Sequence, residues 1–333
     1  MNVSGTKKNS SAFGVLKPDT VIMLAEKALG LPFSNLYRPC NSYINRVYEL
    51  EQKDGVRRII KFYRPDRWTR EAVQDEHDFL LELAVQEVPV IAPLQLDNGS
   101  TLGKFKDISY AIFPKCGGRC QDEFNDEQWM ELGRLLARVH NVGAVHTAGS
   151  RIALSPAVST RGQVEAILSS GLVPLDFLGP FSRVANDLIK EIEPLFVNVQ
   201  PIRIHGDCHF GNIIHRESFF LIDFDDMSMG PAVQDFWMLL PGLVADSFVE
   251  ADLFLEGYET FRRFDRRTLS LIEPLRAMRF IHYIAWCVHQ VKEDGETLAV
   301  QGFGTPSYWH NEVKDLSDQL ELIRKGPVSI GNM

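Results

Sequence analysis

The densest chemistry in this chain lies in His205-Gly206-Asp207-Cys208-His209-Phe210-Gly211-Asn212, followed closely by Leu221-Ile222-Asp223-Phe224-Asp225-Asp226. Two histidines, an Asp, an Asn and then three more Asp are set between short apolar runs. Ile202 and Ile204 lead in, Ile213 and Ile214 follow, and Phe219 to Ile222 form a second run. Apolar flanks around a polar centre predict strand–loop–strand, with the polar residues held at the loop and strand ends. An Asn amide and an Asp carboxylate brought together in this way suit Mg²⁺, which takes few protein ligands and shares the rest of its shell with phosphates and water. Either half alone would read as a solvated acidic turn. Both halves in this order argue for a metal loop.

Elements able to position such a loop must come from the rest of the chain. Its 333 residues suffice for two lobes, each with its own core. Apolar content of 45% and charged content of 24% are ordinary globular values, which excludes disordered and fibrous classes. A net charge of −9 argues against non-specific nucleic-acid binding, which needs a basic face. The five cysteines, Cys40, Cys116, Cys120, Cys208 and Cys287, form an odd, scattered set without a secreted-type framework and read as reduced thiols. The N-terminus has no apolar signal core, and the most apolar runs, 236–245 and 280–288, are too short to span a bilayer. A cytoplasmic, membrane-free protein is expected.

Residues 1–12 read as a frayed tail. Pro18-Asp19-Thr20 opens a helix that stops at Gly30, with Val21, Leu24, Ala25 and Leu29 on one face. Tyr43 to Leu50 and Arg58 to Tyr63 read as strands joined at the Asp54-Gly55 turn. Lys61 lies in the returning strand, flanked by Ile60 and Phe62. The segment from Thr69 to Ala84 is helical and carries Glu76. A helix carboxylate facing a strand lysine can hold the ammonium extended toward a phosphate. Glu71, Asp75 and Glu82 compete with Glu76 for that role. Val88 to Leu94 reads as an edge segment interrupted by prolines, and Tyr110 to Phe113 as a last strand.

Composition then shifts from strand-rich to helical, which sets a lobe boundary between 1–113 and 114–333. Asn125-Asp126-Glu127-Gln128 predicts a capping box opening a helix that closes near His140. Residues 143–180 give weak signals. Helices are expected over 181–197, 233–243, 251–264 and 274–291.

With Lys61, the 205–212 loop and Asp223 in view, the chain resembles the kinase-like fold of aminoglycoside phosphotransferases and choline kinases. Within that group it is similar to the bacterial stress response kinase A family of cytoplasmic Ser/Thr protein kinases. The resemblance runs from about Pro18 to Leu322. Its most specific pieces are Asn41 to Tyr48, Ile60 to Pro65, His205 to Asn212, Gly230 to Asp235 and Glu273 to Arg279.

The resemblance implies an α+β, bilobal protein-kinase-like fold. An N-lobe of antiparallel sheet plus helix precedes a larger, mostly helical C-lobe. It implies an ATP-dependent phosphotransferase acting as a monomer on a Ser/Thr hydroxyl of a protein substrate, with autophosphorylation among its activities. Asp207 would be the catalytic Asp, and Asn212 and Asp223 would hold Mg²⁺, with Asp223 counted also as catalytic. Lys61 would pair with the ATP phosphates and Glu76 would position it. Ser42 and Val47 match nucleotide-contact positions, and Phe113 to Cys116, Lys115 included, would form the hinge that reads the adenine edge. His205 and Asp235 would order the loop.

Three features depart from eukaryotic-type protein kinases. No Gly-rich loop lies near 38–50, the metal motif reads Asp223-Phe224-Asp225 without a third-position Gly, and the short stretch from Asp223 to Asp235 leaves no room for a long activation loop. A small-molecule alcohol kinase is therefore the competing function, with Asp225, Asp226 and the acids Asp122, Glu123, Asp126 and Glu127 available to attract a cationic acceptor. A pseudokinase would lack at least one of Lys61, Asp207, Asn212 and Asp223, and all four are present.

Overall fold

A computed structural model describes residues 13–42, 44–121, 123–297 and 299–326. The expected frayed tail over 1–12, Tyr43 of the phosphate-loop segment and Asp122 of the acidic cluster lie outside the described residues. The chain divides into two compact units, one formed by residues up to Arg119 together with Ile214–Asp225, the other by Cys120–Ile213 and the chain from Asp226 onward. The expected single cut lay after residue 113. The first unit ends six residues later and reclaims a short hairpin from far along the chain. The reason lies in backbone pairing: Arg119 and His215 exchange N–H···O bonds of 3.1 and 2.9 Å, and Leu221 donates to Pro89 O at 3.0 Å.

In the first unit, helix α1 (Pro18–Leu29) starts on a proline and stops at left-handed Gly30, as the sequence predicts. Strands β1 (Phe33–Cys40), β2 (Arg46–Gln52) and β3 (Arg57–Phe62) follow, then α2 (Arg70–Val85), β4 (Gly103–Phe105) and β5 (Ile108–Pro114). They form one antiparallel sheet in the order β1-β2-β3-β5-β4. Cross-strand partners share a face of a sheet. Tyr48, Ile60 and Ile112 thus face the core shared with Val21, Leu24 and Ala25 of α1. Val47, Lys61 and Ala111 align on the opposite face. Residues 88–94 are no strand, since only Val90 forms a bridge, with Leu221.

In the second unit, α3 (Asp126–Gly143) opens with the expected capping box between Asn125 and Gln128. Next come α4 (Arg161–Leu168) and α5 (Leu175–Ile192), which begins earlier than the 181 expected. Strand β6 (Ile202–Ile204) pairs with a later strand, Ser228–Gly230, while β7 (Ile213–His215) and β8 (Phe219–Leu221) make the short hairpin already noted. After β9 (Ser228–Gly230), α6 (Val233–Trp237) is much shorter than the expected 233–243, because Pro241 and Gly242 cannot extend it. Helices α7 (Phe248–Glu259), α8 (Ile272–Asp294) and α9 (Pro306–Arg324) complete the unit.

Helices α3 and α7 approach backbone to backbone, for a Cβ on Gly257 would stand 2.0 Å from Met130 O and one on Gly133 2.1 Å from Phe254 O. Phe181, Leu188, Ile281, Ile284, Trp309 and Leu316 join α5, α8 and α9 into one apolar core. Among the described residues, no helix is long and apolar enough to cross a membrane.

Candidate active site

In the first unit the chemistry centres on Lys61. Its strand position directs the side chain to the sheet face away from α1, where its Nζ pairs with Asp223 Oδ1 at 3.1 Å and also with Asp225 Oδ1. Burial by itself would lower the lysine pKa, but the charges of Asp223 and Asp225, with smaller contributions from Tyr63 and Glu76, raise it well above the usual value. The ammonium therefore stays charged. Glu76 is buried on α2, whose N-cap Thr69 accepts a hydrogen bond from Ala72 N at 3.1 Å.

Asp223 is exposed and has φ of 61°, a left-handed conformation that Asp tolerates better than most residues. Asp225 is buried, and its second oxygen accepts from Asn45 Nδ2 and lies 3.8 Å from Arg67. Asn45 is engaged at both ends, because its Oδ1 accepts from Arg64 N at 3.0 Å.

Of the remaining first-unit residues expected at a nucleotide, Val47 and Phe113 lie in the sheet and Ser42, Lys115 and Cys116 in the loops that follow its strands. Val47 stands directly across from Lys61. Ser42 is half-buried in the loop between β1 and β2. Phe113 pairs with Ile59, and its ring packs edge-on against His77 at 6.0 Å. Lys115 gives its N–H to Arg57 O at 3.3 Å and its ammonium lies 3.7 Å from Glu49. Cys116 is half-buried.

In the second unit the loop after β6 is held by one buried carboxylate. Asp235, fully inaccessible on α6, accepts from the N–H groups of His205 and Gly206, each at 2.8 Å. His140 of α3 contacts the same Asp235 through Nε2 at 3.0 Å and Tyr258 of α7 through Nδ1 at 2.9 Å. A buried carboxylate needs this many partners, and here they fix the backbone just before Asp207. Gly206 turns the chain at φ 84°, and a Cβ there would sit 2.1 Å from Asp226 O. Only glycine fits.

The loop so held presents Asp207. Arg279 of α8 donates from Nη2 to its Oδ1 at 2.6 Å, and His209 Nε2 lies 3.5 Å from Oδ2. Burial alone would raise the Asp207 pKa, but the His209 hydrogen bond and the charges of Arg279, His209 and His205 more than offset it. They hold the carboxylate well below its usual range. His205 is buried, and its Nδ1 accepts from Asp207 N at 3.3 Å, a scaffold contact. Asn212 donates its amide to Asp207 O at 2.9 Å, which leaves its side-chain oxygen as an acceptor.

That oxygen and the exposed Asp223 carboxylate are hard donors of the kind a divalent cation takes. Among the described residues, no group of three or more His, Cys, Asp and Glu forms a metal cluster by itself. Four positions here carry contacts that residue types alone did not reveal: Asn45, Asp225, His140 and Arg279. Asp225 had a signal, two positions beyond Asp223. The others did not, since their partners lie far away in sequence.

Comparison with known proteins adds the following. The profile of the "Phosphotransferase enzyme family" matches residues 37–272. The chain is 34% identical over 328 residues to stress response kinase A of Escherichia coli K12, covering 98% of this chain and 99% of that protein. It is likewise 34% identical over 326 residues to the "Serine/threonine protein kinase RdoA" of Salmonella typhimurium, with the same coverage of both. Among solved structures, amicoumacin kinase hAmiN, captured with AMP-PNP, Ca²⁺ and amicoumacin, superposes with a TM-score of 0.74 at 17% identity, over 91% of this chain and 94% of that one. A microcompartment-associated aminopropanol kinase gives 0.67 at 18% identity, over 92% and 97%. At such identities the structures share the fold, which is kinase-like.

Proposed function

The chain belongs to the phosphotransferase enzyme family and, within it, to the stress response kinase A group, and from that premise we propose that it moves the γ-phosphate of Mg·ATP to a Ser/Thr hydroxyl on a protein. The observation that carries the reading is the pairing of Lys61 with two carboxylates, one of them exposed. A charged ammonium held in this way is ready for the phosphates of a nucleotide, and the exposed Asp223 is ready for their metal. Asn212 is the second residue assigned to that ion. Bound Mg²⁺ would neutralise charge on the β- and γ-phosphates.

This chain's residues do the rest. Lys61 offsets charge on the α- and β-phosphates, with Glu76 supporting it electrostatically. Ser42 and Val47 border the nucleotide. The Lys115 N–H is already given to Arg57 O, so the backbone donor assigned to adenine is Cys116 N–H, beside Phe113. Asp207 orients the acceptor hydroxyl and takes its proton as the new P–O bond forms and the bond to ADP breaks. Asp207 is held at low basicity by the His209 hydrogen bond and the Arg279 charge, which suits orientation followed by late proton transfer. We assign this work to the cytoplasm, where ATP is at hand and the free cysteines stay reduced.

The test is purified protein with radiolabelled ATP and Mg²⁺, alone, with a generic protein substrate, and with a panel of small alcohols. Label on protein is expected. Label only on a small alcohol would replace the protein acceptor with a small-molecule one.

A further inference from the structure

We infer that Arg279 recognises an anionic group that flanks the acceptor hydroxyl, so that the preferred protein sites are Ser or Thr with an acidic neighbour. The inference rests on the assignment of Asp207 to the acceptor hydroxyl and names what else that acceptor must carry.

Two arginines lie one turn apart on α8, and their surroundings differ. Arg276 is engaged on every side: Nε bonds Glu273 at 3.2 Å, Nη2 bonds Gly242 O at 3.2 Å, and the guanidinium stacks 4.8 Å over Trp237. Arg279 gives a single hydrogen bond among the described residues, from Nη2 to Asp207. Its side chain keeps 27% of its exposure, and among the described residues Nε and Nη1 donate to no protein acceptor, beside the carboxylate assigned to the hydroxyl. A guanidinium presents several donors in a planar fork, and an anion that replaces water on its open edge makes charge-assisted bonds about twice as strong as neutral ones.

The surrounding charges agree. Asp207 is paired with Arg279 and lies 3.5 Å from His209 Nε2, so the guanidinium offsets its negative charge where an acceptor would approach. Two of the acids that could have favoured a cationic acceptor are already paired: Asp225 with Lys61 and Arg67, and Glu127 with Arg134. A carboxylate side chain and a phosphorylated residue offer the same chemistry to Arg279.

The experiment uses one Ser-containing peptide in four versions, with Glu, phosphoserine, Ala or Lys beside the acceptor, phosphorylated by wild type, Arg279→Gln, Arg279→Lys and Asp207→Ala. Wild type should favour the Glu or phosphoserine peptide over the Ala peptide by about tenfold in kcat/KM, mainly through KM. The stronger of the two anions identifies its source. Arg279→Gln should bring the ratio close to one, Arg279→Lys should keep part of it, and KM for Mg·ATP should stay unchanged in both. If Arg279→Gln lost all transfer, the wild-type preference and the Arg279→Lys ratio would decide. Equal use of Glu and Ala peptides, preference for Lys, transfer to none of the peptides, or a ratio that survives Arg279→Gln would overturn the inference. Transfer by Asp207→Ala at the wild-type rate would instead remove the catalytic assignment, a separate result.

Discussion

Asn45 and Asp225, 180 residues apart, are joined by a hydrogen bond from the Asn amide to the carboxylate oxygen that Lys61 leaves open. One carboxylate thus ties the loop between β1 and β2 to the lysine strand. The loop is braced again by Arg64, whose Nε donates to Ile44 O at 3.0 Å, and by Arg46, whose Nη1 donates to Asn45 O at 3.1 Å.

Asn45→Asp should therefore harm more than Asn45→Ala. It sets a second carboxylate against buried Asp225, whereas Ala removes the bonds to Asp225 and from Arg64 N without adding charge. Both should raise the Kd for Mg·ATP, by about tenfold for Ala and more for Asp. Isothermal titration with Mg·ATP measures this, and wild-type affinity in Asn45→Asp would show that the bond does not support the nucleotide site.

Asp207 and Asp223 should separate kinetically. Asp207→Ala is expected to lower kcat by about 10²–10⁴ while nucleotide affinity stays near wild type. Asp223→Asn keeps a side chain suited to positive φ but loses the charge, and should weaken Mg·ATP binding as well as turnover. Fluorescence titration beside a steady-state assay distinguishes them. Unchanged affinity in Asp223→Asn would remove its metal role.

Asp235→Ala should cost about 3–5 kcal/mol, because it orphans the buried His205 and Gly206 N–H groups and leaves His140 without its acceptor. Urea unfolding gives the figure. A loss below about 1 kcal/mol would mean that the loop is held by other contacts.

The thiols should respond to alkali in a defined order. Burial pushes Cys287 up to about 11 and raises Cys208 well above its usual value, while Cys120 is exposed. Native protein at neutral pH should react with a thiol reagent first at Cys120, and at Cys208 and Cys287 only after unfolding. A thiol whose folded pKa is raised contributes stability that is complete below its unfolded value. That contribution is lost as pH rises through the folded value. Thermal stability should accordingly decline between about pH 9 and 11. A melting temperature flat over that window would contradict the assignment.

The sequence revealed those parts of the fold in which one short pattern suffices. Helix α1 has a proline start and a glycine stop, and α3 has its capping box within four residues. Strand β1 was missed because its pairing shifts register between Phe33 and Tyr37 and its burial does not alternate. Helix α4 was missed because it is eight residues long and buries only Val164 and Ile167, too few for a period. Helix α9 buries Tyr308, Trp309, Leu316, Gln319 and Leu320, a stripe with a long polar gap. Among the residues proposed for chemistry, residue type and order singled out Asp207, Asn212 and Asp223. The acids in ion-pair range of Lys61, by contrast, come from residues 223 and 225, a match made by tertiary structure alone.

The hairpin that returns to the first unit also sets a schedule for biosynthesis. Residues 214–225 bring the first unit its Asp223 and Asp225, and they leave the ribosome only after Cys120–Ile213 have emerged. A fragment ending at Arg119 would expose the Pro89 and Arg119 backbone that the hairpin pairs with, and would carry Lys61 without either carboxylate. The lysine gains its counter-charges only when about two-thirds of the protein has been made.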